Sequence, residues 1–126
     1  MTVKPNFRAF DALLFWGQVA WVAETISDEY WYVAQGSTPE AAVENLKRGL
    51  YATAIIQLNE GHRPFNDKFP TPAEAQQRWR RALLKSQHPV MQKGKDYRFV
   101  VSVSWSNDVK VRPVPTKGRR SSGRNK

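Results

Sequence analysis

The chain has no cysteine among its 126 residues. That excludes disulfides, thiol nucleophiles and thiolate metal sites, and it accords with a reducing compartment. Histidine is nearly as scarce: His62 and His88 are the two, and both sit beside loop prolines. Neither an HxxxH nor an HxH spacing occurs, so no zinc or other metal site is expected. A pair such as His62–Asp67 or His88–Asp96 with a serine would be raw material for a hydrolytic set, but nothing specifies its geometry. Glycine-rich phosphate loops and dinucleotide fingerprints are missing as well. The expectation is a protein that is not an enzyme and needs no cofactor. Long apolar runs are also absent. "ALLFW" is too short to cross a membrane, and "MTVKPNFRAFDALLFWG" lacks the basic start and long apolar segment of a secretory signal. A soluble, cytoplasmic protein without membrane contact follows as the expectation.

Acidic side chains are absent from residues 109–126, which hold seven basic ones. The net charge of +9 is therefore unevenly placed. Residues 1–60 carry four basic and seven acidic side chains, and residues 61–108 nine basic and four acidic. A mildly acidic first half and a strongly basic end suggest two surfaces with different partners, one of them polyanionic. The plainer reading of a basic tail is that it aids solubility.

Hydrophobic content of 40% and five tryptophans mark a folded chain. Its length predicts one domain with a modest core. "AFDALLFWG", "VAWVAETI" and "YWYVAQG" read as strands forming a meander. A helix follows, capped by Ser37 or Thr38 and opened by Pro39, with Val43, Leu46, Leu50, Ala54 and Leu58 on one face and Gly61 as its stop. After the connector "HRPFNDKFPTP", a second helix is predicted over Thr71–Gln87, with Thr71 as cap, Pro72 in first position and Glu74 completing a capping box. Its buried side would be Ala75, Trp79, Ala82 and Leu83. Arg78, Arg81 and Lys85 fall three and four apart on another face, which solvation alone would also explain. Phe99, Val101, Val103 and Trp105 alternate with polar or smaller residues as a half-buried strand. Asn107 and Asp108 suit a turn into a second strand over Val109–Arg112, ending at Pro113 and Pro115. "TKGRRSSGRNK" has no apolar anchor and reads as a flexible tail.

The strand-to-helix joint "QGSTPEAAVENL" carries Gly36, Thr38, Glu40, Ala41, Ala42 and Asn45, and the later turn "NEGHRP" carries Gly61 and Pro64. Over residues 21–65 this pattern resembles the HicB family, antitoxins of HicA–HicB toxin–antitoxin modules. That family places two or three antiparallel strands before a helix, joined by G-x-T-x-E-E-A-x-x-N. The chain departs from it in two ways. "ETISDEYW" replaces the family's proline–glycine turn, and no separate ribbon–helix–helix or helix-turn-helix unit follows. The resemblance implies a binding role in which nuclease chemistry belongs to the partner.

The expected architecture is α+β in βββααββ order: an antiparallel sheet of four or five strands packed on one side by two helices. Residues 1–115 form the HicB-like domain and 116–126 the tail. The leading functional expectation is occlusion of a macromolecular partner. Acidic residues Glu24, Asp28, Glu29, Glu40 and Glu44 would face a protein such as a basic nuclease. Nucleic acid would meet Arg78, Arg81, Lys85, Lys110, Arg112, Lys117, Arg119, Arg120, Arg124 and Lys126, with Trp31 and Trp105 the first candidates for base stacking. The alternative is a small RNA- or DNA-binding accessory protein of a phage or mobile element with no toxin partner. Exposed sheet edges add homodimer formation to the expectations.

Overall fold

The computed structural model describes residues 6–66 and 68–105. The second hairpin strand, the tail and Asp67 lie outside the described residues. Five strands and two helices follow in the order β1 (Asn6–Trp16), β2 (Trp21–Ile26), β3 (Val33–Gly36), α1 (Pro39–Asn59), α2 (Ala73–Arg81), β4 (Leu83–Leu84) and β5 (Tyr97–Trp105). The sheet order is β3-β2-β1-β5-β4.

Alternation along β1 divides the core. Phe10, Ala12 and Leu14 point to the face that α1 covers with Ala42, Leu46, Leu50 and Ala54; of the face expected from the 3.6-residue period, Val43 and Leu58 are only partly buried and Ala42 takes a core place instead. Trp21 and Ala23 of β2 and Tyr97, Val101 and Val103 of β5 join them there. Leu13, paired with Glu24 and Arg98 on its two neighbours, points the other way and is still fully buried. What buries it is α2: Arg78 lies over the Phe15 ring and Trp79 against Arg98. The two helices therefore pack on opposite faces, not on one.

The path between them explains this. Residues 69–71 run alongside the β2–β3 loop, with Phe69 N donating to Glu29 O, Trp31 N to Phe69 O and Thr71 N to Ser27 O at 2.7–2.8 Å. The connector thus passes the end of the sheet and delivers α2 to the far side. Thr71 is consumed by this contact. Its hydroxyl donates to Thr25 O and accepts from Ser27 N, so it does not cap α2, which begins after Pro72 without a side-chain cap.

The sheet is mixed rather than antiparallel. The second helix ends at Arg81, earlier than its sequence signals suggest. Ala82 is already extended, and Leu83–Leu84 pair in parallel with Tyr97 and Arg98. Extended backbone sends Leu83 into the core and Leu84 to the other face, whereas a helix would keep both within one turn. Lys85 then sits in a short 3₁₀ turn, Lys85–Gln87, not on α2. Strand β3 starts at Val33, three residues later than expected, because Tyr30–Tyr32 bend through the Thr25 hydroxyl.

Candidate nucleic-acid interface

The strand-to-helix joint is built by three residues with distinct tasks. A Cβ on Gly36 would lie 2.3 Å from Ala42 N, so only glycine lets β3 meet the first turn of α1. The Thr38 hydroxyl accepts from Ala41 N at 3.0 Å as the N-cap. Asn45 Nδ2 donates to Gln35 O at 2.7 Å, tying the helix to the edge strand. Ser37 does not serve as the cap.

The acidic residues do not form one surface. Glu24 is 6% exposed and its Oε1 accepts from the Trp31 indole N–H at 2.8 Å. Burial pushes its carboxyl up, against the opposing pull of that hydrogen bond and of the Arg78 guanidinium. A buried, hydrogen-bonded carboxyl cannot meet a protein partner, so Glu24 leaves the protein-facing set. Glu29 pairs with Arg8, and Glu44 with Arg48 one helical turn away. Glu40 lies in the first turn of α1, while Asp28 and Glu29 lie in the β2–β3 loop, where Glu29 O accepts from Phe69 N.

The basic residues also separate. Arg78 grips Asp96 with two hydrogen bonds, 2.6 and 3.1 Å, and its guanidinium stacks 3.9 Å above Phe15. It fastens α2 to the sheet and is already engaged, so it leaves the phosphate-facing set. Arg81 is exposed at the end of α2. Lys110, Arg112, Lys117, Arg119, Arg120, Arg124 and Lys126 lie outside the described residues. Of the two tryptophans considered for stacking, Trp31 is spent on Glu24 and Phe69, and Trp105 packs edge-on against Phe65.

What the fold does assemble is a cleft of about 420 Å³ where β4 and β5 meet the flank of α1. Lys47 reaches it from α1, Lys85 from the 3₁₀ turn and Arg98 from β5; Val43, Leu84, Phe99 and Val100 supply apolar walls. Among the described residues no acidic side chain lines it. Lys85 Nζ stands 5.9 Å from the Phe99 ring centre. β4 is only two residues long, so β5 has no described strand beyond Leu84 on that side, and the cleft opens at this unpaired edge.

Of these three cations, sequence reasoning marks only Lys85. Lys47 follows Val43 by one helical turn, and Arg98 alternates with the core residues of β5. These spacings show which face each residue occupies but not that the faces converge. No family model, curated protein or solved structure matches the chain.

Proposed function

We propose that this chain is a non-enzymatic binding protein of HicB-like fold that acts in the cytoplasm by occluding a macromolecular partner, and that the β4–β5 cleft holds nucleic acid. The observation that carries this reading is that Lys47, Lys85 and Arg98 line one cleft with no acidic side chain among its described lining residues. Positive side chains lining one cleft favour an anion there. A phosphodiester backbone supplies anions in series and releases condensed counterions as each is neutralised. Arg80 and Arg81 add exposed positive charge at the end of α2, and the seven basic residues of 109–126 add to the net charge of +9. Contacts of this type follow the backbone and position the strand. The HicB-like assignment is supported by the joint, whose glycine, threonine and asparagine each have a defined task.

Fluorescence-anisotropy titration with labelled RNA, single-stranded DNA and duplex DNA over a salt series tests the reading. Lys47→Ala/Lys85→Ala should weaken binding and reduce the slope of log affinity against log salt by about 0.7–0.9 for each phosphate left unneutralised. A chain ending at Pro115 measures the part played by the last residues. Binding that ignores salt and both lysines would refute the cleft. Failure to bind any nucleic acid, with capture of a basic nuclease, would move the function to Asp28, Glu29, Glu40 and Glu44.

A further inference from the structure

A second recess, of about 150 Å³, opens on the α2 face of the sheet. It is lined by Asp11, Trp79, Leu84, Arg98, Phe99 and Val100. Four of these residues, Leu84 to Val100 in chain order, also line the basic cleft, so the two spaces adjoin at β5. Val100, 64% exposed, faces the open side opposite Asp11. Among the described residues Asp11 is the single acidic one lining either space. It is exposed and has neither a hydrogen bond nor an ion pair among the described residues, despite Arg98 nearby.

A carboxylate there weakens phosphate binding, so a phosphate site alone does not account for it. Its natural counterpart is a pair of parallel N–H donors. Guanine offers that pair, N1–H and N2–H, along its Watson–Crick edge. Adenine and cytosine present one amino group beside an acceptor nitrogen, and uracil flanks its N–H with two carbonyl oxygens. The apolar walls Leu84 and Val100 suit the face of a ring, and single-strand recognition uses splayed bases against such surfaces. We infer that the recess reads one unpaired guanine of a single strand, with its N1–H and N2–H donated to the Asp11 carboxylate while the adjacent cleft holds the backbone. This rests on the nucleic-acid reading of that cleft.

The test is anisotropy with short labelled oligouridylates in which the central base is U, G, A or C, using the full chain. The guanine oligonucleotide should bind about tenfold more tightly than the others, the discrimination of one good two-donor pair. Asp11→Ala should erase that preference while the all-uridine strand binds as tightly or more tightly, because a repelling charge is gone. Val100→Trp, which fills the recess from its exposed side, should also erase the preference. No guanine preference in the unaltered chain, or one that survives Asp11→Ala, overturns the inference while leaving the cleft intact. Absence of binding to every strand overturns the cleft reading and the inference with it.

Discussion

The Thr71 hydroxyl, 3% exposed, joins Thr25 O and Ser27 N, both at 2.8 Å. Thr71→Val keeps the shape and strands the Ser27 N–H, and should cost about 1–3 kcal/mol in chemical denaturation; Thr71→Ser should restore most of it. Glu24 acts through its proton. Burial raises its pKa above the ordinary 4.5, so the native state holds that proton more tightly than the unfolded chain. The stability this gives is complete below about 4.5 and is lost as pH rises through the native value. The stability difference between the natural chain and Glu24→Gln, followed from pH 4 to neutrality, should therefore shift against the natural chain as pH rises. A constant difference would show that Glu24 does not titrate in this way. Trp79 Nε1 and Arg98 Nε are buried without hydrogen-bond partners among the described residues. Trp79→Phe removes one such donor and should cost less than the smaller ring area alone predicts, whereas Trp79→Ala should cost about 3–5 kcal/mol.

Between elements, two glycines mark close approach with different consequences. At Gly36 an added Cβ meets backbone, Ala42 N at 2.3 Å, so the joint itself must move. Gly36→Ala should destabilise by about 3 kcal/mol in thermal or chemical unfolding. At Gly49 the same atom meets the Tyr32 ring, 2.3–2.5 Å away, and a side chain yields more readily than a backbone. Gly49→Ala with Tyr32→Leu should be less destabilised than the two single changes summed, by about 0.5–3 kcal/mol. Additive losses would mean that Tyr32 is not what limits Gly49. The helix α1 was legible because its cap, its period and its stop are local. The end of α2 was not, because Leu83 leaves the helix for a partner, Tyr97, far along the chain.

In the molecule as a whole, the proposed binding function would rest on other cations than the Arg78 that fastens α2. Arg78 stabilises the α2 face through Asp96 and Phe15, while Lys47, Lys85 and Arg98 gather at the β5 edge. Arg78→Ala should lower stability by about 1 kcal/mol, since the pair is partly exposed, and leave oligonucleotide affinity within twofold, about 0.4 kcal/mol. Lys47→Ala/Lys85→Ala should do the reverse. If both variants weaken binding alike, the charge of the whole surface governs affinity and the cleft has no special part. Lys85 was legible as a basic residue near helix two; Lys47 and Arg98 were not, because nothing in local spacing says that positions 47, 85 and 98 meet.

From the sequence alone came the α+β composition, the capped and periodic helix opened by Pro39 and stopped by Gly61, the alternation of β5, and the absence of cysteine. These depend on propensity, capping and period, which act within a few residues. The tertiary structure decided that the helices lie on opposite faces, that β4 joins in parallel, and that Phe65 takes a left-handed backbone, φ 61°, at the centre of Phe10, Tyr30 and Trp105. It also decided that three cations share a cleft. Each of these depends on bonds between distant parts of the chain, such as the 46 residues separating Thr71 from Thr25. Local pattern sets which way a side chain faces on its own element, and only packing sets what it faces.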